Sequence, residues 1–176
     1  MSGAAIAAAI TTAAQRHGLD PRVVRAQAGI ESAWNPWAWN PEPKYRWFWD
    51  VRLGRPFRTL DLSEIEREAP PADFHCFAGD PDQEWWGQQA SFGILQVMGA
   101  VARELGFRGH YLTQLCDLEL GLEYGCLKLA SELRQTGDIR SALARYNGGA
   151  KGNAPGGPLR NEAYVLKVET AMKRIA

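Results

Sequence analysis

Net charge is the first thing this chain lacks. Twenty basic and twenty acidic residues cancel across 176 positions. No broad field therefore draws it toward a phosphate backbone or an anionic bilayer, and no basic run is dense enough to suggest a nucleic-acid partner. Long apolar runs are missing too, since nothing approaches the ~20 residues that would span a bilayer. Cysteine is scarce: Cys76, Cys116 and Cys126 form an odd set without CxxC spacing. With no HxxxH pattern either, neither a zinc site nor any other metal or cofactor is expected. Cys116 and Cys126, placed on one helix, would be separated by about 15 Å of rise, too far for a disulfide. Three buried thiols are the expectation. His75 beside Cys76 reads as a surface or boundary histidine.

What is present suits one domain of 176 residues, long enough to bury about two thirds of its unfolded surface. Strand alternation is nearly absent, and most of the chain carries helix signals. Ser2 caps an alanine-rich first helix that Gly18 closes. This stretch lacks a positively charged leader, so it is taken as part of the fold and not as a signal peptide. Asp20-Pro21 starts a second helix that runs to about Ala33 and stops at Asn35-Pro36. Ser63-Glu64-Ile65-Glu66 resembles a capping box. Ile94, Leu95, Met98, Val101, Ala102 and Leu105 recur at helical spacing, which predicts a helix from Ser91 or Phe92 to Gly106. The longest helix is expected over residues 113–135, and a shorter one capped by Asp138 runs to Arg145. A glycine-rich loop over residues 148–158 then leads to a last helix capped by Asn161.

Residues 34–90 are the exception. All seven tryptophans lie there (Trp34, Trp37, Trp39, Trp47, Trp49, Trp85 and Trp86), among seven prolines. Such a composition predicts irregular structure pinned by aromatic packing, with room for a short hairpin. The indoles could also line a ligand groove, although structural packing is the favoured reading.

Three short segments hold the candidate chemistry. Glu31-Ser32 ends a helix whose apolar stripe includes Val23, Val24, Ala26 and Ile30. An unperturbed glutamate has a pKa near 4.3, and apolar surroundings raise such a group by roughly 2 units, enough for a general acid. Ser91-Phe92-Gly93-Ile94-Leu95-Gln96 is the second. Read as helical, Gly93 costs about 1 kcal/mol against alanine and asks for a close neighbour. Arg145-Tyr146-Asn147 is the third, with Tyr164 on the last helix. Each is a modest signal alone, and their conjunction is far more specific.

In that conjunction the chain resembles the lysozyme-like lytic transglycosylases of bacterial peptidoglycan metabolism, close to goose-type lysozyme in fold. Those enzymes carry Glu-Ser, Gly-Leu-Met-Gln and Ala-Tyr-Asn motifs in this order. Here they stand as Glu31-Ser32, Gly93-Ile94-Leu95-Gln96 and Arg145-Tyr146-Asn147, and Glu31-Ser-Ala-Trp-Asn-Pro-Trp-Ala matches the flank of the first. The likeness covers residues 4–36 and 88–176. It departs in three places. Residues 41–88 form an insertion, Arg145 replaces an alanine, and Arg160 stands where some members carry an acid four positions before the final tyrosine. Nearby Glu162 is not assigned that role.

The resemblance implies a single, mainly α, lysozyme-like domain with an irregular Trp-rich insertion. It implies cleavage of the bond between N-acetylmuramic acid and N-acetylglucosamine, with Glu31 as acid and then base and a 1,6-anhydro product. Ser91, Gly93, Gln96, Tyr146, Asn147 and Tyr164 would form the substrate-binding set, while Ile94, Leu95 and Met98 would keep the cleft dry. Peptidoglycan strands are the expected partner, for a monomer without membrane insertion. The missing leader makes a phage-encoded protein, formed in the host cytoplasm and acting on the periplasmic wall, the expected setting. The rivals are a hydrolytic muramidase, taking a second acid from Asp50, Asp73, Asp80 or Glu84, and a non-catalytic wall-binding or virion-structural module.

Overall fold

The computed structural model describes residues 2–67, 69–77 and 79–175. Helix α1 (Gly3–Arg16) and helix α2 (Pro21–Ser32) start as their caps predict: Ser2 Oγ accepts from the Ala5 amide, and Asp20 accepts from the Arg22 amide with Pro21 at the first helical position. A segment of short strands follows, β1 (Trp39–Pro41), β2 (Trp49–Asp50) and β3 (Arg55–Pro56), and then helices α3 (Leu62–Ile65) and α4 (Pro81–Gln88). Strands β4 (Ala90–Phe92) and β5 (Val97–Met98) lead into α5 (Gly99–Glu104) and a 3-10 turn over Leu112–Cys116. The chain closes with α6 (Leu118–Thr136), α7 (Ile139–Gly148) and α8 (Glu162–Met172). The protein is mainly α-helical, as expected.

Two compact units divide these elements, residues 1–34 with 125–176, and residues 35–124. In the first, α2 packs along α8 and against α1, and α7 packs on α8. Ile10, Ala14, Val24, Ala26, Val165 and Val168 are fully buried there. Ile30 is 39% exposed, so the apolar stripe of α2 ends at Ala28, before Glu31.

The second unit contains the insertion, and its aromatics have a structural job. Phe48 stacks on Trp85 at 4.2 Å, and Phe74 meets Phe48, Phe57 and Trp85 edge-on. Strands β2 and β3 form the short hairpin, pairing Trp49 with Pro56. Asp50 is buried and accepts from the Arg52 and Leu53 amides across its turn. A second sheet has the order β1-β4-β5, antiparallel throughout. Beneath it lies a buried ion pair. Arg103 donates to both Glu84 oxygens at 2.9 and 2.7 Å, and its third nitrogen donates to the Phe107 and Gly109 carbonyls. Phe77 and Phe107 flank its guanidinium.

Several local expectations need correction. The capping box sits two residues earlier than read, with Asp61 as the cap and Glu64 as its partner. Residues 91–98 are a hairpin, and the helix starts only at Gly99. The predicted long helix splits at Asp117, whose carboxylate caps α6 by accepting from the Glu119 and Leu120 amides. Cys116 is therefore on the 3-10 turn and only Cys126 on α6. Of the three free thiols, Cys126 is buried while Cys76 and Cys116 are half-buried. Among the described residues no helix is long and apolar enough to cross a membrane.

Candidate active site

Glu31 takes its position from the way α2 ends. Ala33 and Trp34 both adopt left-handed backbone, with φ of 52° and 65°. Such a conformation costs a residue with a side chain about 1–2 kcal/mol. It is held by the Ala33 amide donating to Gly29 O and the Trp34 amide donating to Ala28 O, which satisfies carbonyls at the helix end. Trp34 also folds back on the helix, its indole N–H donating to Arg25 O at 3.0 Å. The strained backbone lies directly after Glu31-Ser32. Ser32 Oγ donates to Ala28 O.

Half-buried Glu31 accepts a hydrogen bond from the Tyr164 hydroxyl at 2.5 Å. Burial, the charge of Glu31 and that hydrogen bond push the Tyr164 pKa far above a free phenol, so Tyr164 stays a donor. Tyr146 is buried on α7. Desolvation, and then the nearby Glu31 charge, hold its hydroxyl protonated as well. Lys128 Nζ lies 4.0 Å from the Tyr146 ring centroid and donates to the Tyr146 carbonyl at 2.8 Å. Three predicted residues, Glu31, Tyr146 and Tyr164, thus belong to one cluster within the first unit.

Asn147 works one step removed. Asn161 Nδ2 donates to Asn147 Oδ1 at 2.6 Å, while its Oδ1 accepts from Asn153 Nδ2 at 3.3 Å and makes no cap for α8. The glycine-rich loop is anchored here through the fully buried Asn153, whose amide donates to Ala144 O, Gly149 O and Asn161 Oδ1. A Cβ on Gly148 would come within 2.3 Å of the Asn161 side chain, which explains that glycine. Arg145 turns to α6, meeting Glu132 at 2.7 Å and Gln135 at 2.6 Å. Its presence in place of alanine therefore leaves Tyr146 undisturbed. Glu162 pairs with Arg140, and Arg160 is exposed.

In the second unit Ser91, Gly93 and Gln96 also form a cluster. Ser91 Oγ donates to Gln96 Oε1 at 3.0 Å, and Gln96 Nε2 donates to Gly93 O and Ala38 O. Gly93 has φ of 74°, and a Cβ there would stand 2.3 Å from Leu115 O. The glycine is thus required by the turn and by close backbone approach, not tolerated inside a helix. Gln96 itself has φ of 48°. Ile94, Leu95 and Met98 are buried around this turn.

The four acids offered as second catalytic groups all have structural partners. Asp50 bridges its hairpin turn, Asp80 caps α4, and Glu84 pairs with Arg103. Asp73 is bound by Arg58, which also holds Glu64, and that guanidinium keeps the Asp73 carboxyl below its ordinary range. Among the described residues no group of three or more His, Cys, Asp or Glu side chains could hold a metal ion.

One residue of the site escaped the sequence reading. Gln27 is fully buried one helical turn before Glu31, beside the Tyr164 phenol, and neither amide atom has a hydrogen-bond partner of good geometry. A glutamine inside the stripe Val23, Val24 and Ala26, four residues before the glutamate, was the available signal.

A mainly helical fold with a carboxyl at a helix end held by a phenol, and a glycine-pivoted Gln hairpin in the second unit, is consistent with a lysozyme-like domain. The chain belongs to the Transglycosylase SLT domain family, matched over residues 8–155. It is therefore a peptidoglycan lytic transglycosylase, a lyase that degrades murein. The match includes Glu31, Ser91, Gly93, Gln96, Tyr146 and Asn147 and ends before Tyr164. A comparison with curated proteins finds no match.

Proposed function

We propose that the chain cleaves the β-1,4 bond between N-acetylmuramic acid and N-acetylglucosamine and releases a 1,6-anhydro sugar, with Glu31 as acid and then base. The carrying observation is the 2.5 Å hydrogen bond from Tyr164 to Glu31. Glu31 enters as the neutral acid and gives its proton to the glycosidic oxygen as the C1–O bond breaks. The N-acetyl carbonyl of the muramyl residue supports the cation at C1. Glu31, now a carboxylate, keeps Tyr164 as a fixed donor, and this preorganised bond needs no rearrangement when charge develops. Glu31 then takes the proton from the muramyl 6-hydroxyl, whose oxygen bonds to C1. No water is consumed, and the enzyme regains its starting protonation.

Tyr146 walls the sugar beside Glu31 and Asn147 holds the turn that carries it. Ser91 and Gln96 keep their shared hairpin in shape, with Gly93 as its pivot. The structural ties of Asp50, Asp73, Asp80 and Glu84 favour this route over a water-activating second acid. Mass spectrometry of digested sacculi tests the reading. Anhydromuramyl products are expected, and reducing-end muramic acid alone would overturn it. Glu31→Gln should lower lysis by at least about 1000-fold while the fold is retained.

A further inference from the structure

The second unit contains a cavity of about 230 Å³ that the cleavage chemistry does not use. Trp39, Trp86 and Tyr111 line it, together with Gln83, His110 and Thr113. Three large aromatics are left 61%, 43% and 48% exposed there. Folding gains nothing from such exposure, whereas Phe48, Phe74 and Trp85 in the same unit are nearly fully buried. The walls are also rigid. Trp39 is paired with Phe92 across β1 and β4, and Trp86 follows the core residue Trp85 on α4. Gly87 allows Leu112 to approach so closely that a Cβ would meet its side chain at 2.8 Å. A preformed aromatic mouth loses little entropy on binding.

The ligand class follows from size, charge and polarity. The volume lies below the ~300–1,000 Å³ of pockets for drug-sized ligands, so one ring fits better than two. No lysine or arginine lines it, and Asp80 and Glu84 do. Glu84 is paired with Arg103, and the Asp80 side chain caps α4. With carboxyl groups and no lysine or arginine among the described lining residues, an anionic ligand is disfavoured. A flat ring with C–H groups on one face and hydroxyls at its edge suits indole faces with amide and hydroxyl groups around them. We propose that this cavity holds one neutral N-acetylglucosamine ring of a glycan strand as a non-catalytic anchoring site. Side chains alternate along β4, so Phe92 at the cavity and Ser91 of the hairpin cluster point to opposite faces of the strand. This site is therefore distinct from the Ser91–Gln96 cluster.

The inference rests on peptidoglycan glycan being the substrate, and it is tested apart from cleavage. In the full chain carrying Glu31→Gln, the tetramer of N-acetylglucosamine is titrated while the seven tryptophan indole N–H resonances are followed by NMR. The signals that vanish in Trp39→Phe and Trp86→Phe identify the two wall residues. Those two signals should shift with the sugar, and movement confined to other indoles, or none, overturns the proposal. In parallel, retention on purified sacculi is measured. Trp86→Ala and Trp39→Ala should each weaken retention about tenfold or more, the loss of one aromatic anchor. Trp47→Ala, a 74%-exposed tryptophan outside the cavity, should not. Equal retention by all three variants refutes the site, and the titration of the intact chain decides if a variant fails to fold. Loss of anhydro products in the unmodified enzyme would instead strike at Glu31 and leave this binding result standing.

Discussion

At Glu31 three residues from three helices converge: the carboxyl on α2, Tyr164 on α8 and Tyr146 on α7. Burial, and then the Glu31 charge, keep both phenols protonated. A hydrogen bond to a charged group is worth about 1.5–3 kcal/mol. Tyr164→Phe should therefore lower kcat by roughly 10- to 100-fold, with the circular dichroism spectrum and melting temperature close to the parent. A variant with parental kcat would remove Tyr164 from the mechanism.

Among the elements, the hairpin from β4 to β5 shows best what sequence could and could not reveal. Gly93→Ala would combine a left-handed backbone with a contact of 2.3 Å to Leu115 O. A loss of roughly 2 kcal/mol or more is expected in urea unfolding, read as a lower midpoint at constant slope. The buried Arg103–Glu84 pair is comparably critical. Arg103→Leu strands a carboxylate in the core and should cost about 3–5 kcal/mol, whereas Arg103→Met with Glu84→Leu should recover much of it. Helix starts governed by Ser2, Asp20-Pro21 and Asp138 were legible because a cap acts within three residues of itself. Glu31 was legible because a motif marked it. The hairpin was not, since Ile94, Leu95 and Met98 are buried at spacings that a helix would also produce. Gly93 held the missing information, because its positive φ and tight contact with Leu115 forbid the helix that the apolar period suggested. Asn161 stands at the start of α8 as read, but its side chain does not cap the helix, because Asn153 Nδ2 donates to the oxygen that a cap would use.

For the whole molecule, opposing sets of shifted groups bound the pH range of stability. Asp20, Asp61, Glu64, Asp73 and Asp138 all lie below their ordinary values, each held by a hydrogen bond to Arg22, Ser63, Arg58, Arg58 or Ser141 respectively as the leading cause. A depressed folded-state pKa gives stability that is present above the unfolded value near 4 and lost as pH falls. Tyr124, Tyr146 and Tyr164 are shifted upward chiefly by burial, and Tyr45 is pushed up to about 12 by burial and then by Glu104 and Glu42. A raised folded-state pKa gives stability that is full below the unfolded phenol value near 10 and lost as pH climbs through the folded value. The melting temperature should therefore be nearly level from about pH 5 to 10 and fall steeply between about 10 and 12. Phenolate absorbance at 295 nm and far-ultraviolet circular dichroism distinguish this from simple surface titration. Absorbance should rise together with loss of helix, because Tyr146 and Tyr164 ionise only when the cluster around Glu31 opens. If all five tyrosines instead ionised near pH 10 in a chain that kept its helices, the buried carboxyl–phenol cluster would not exist in solution.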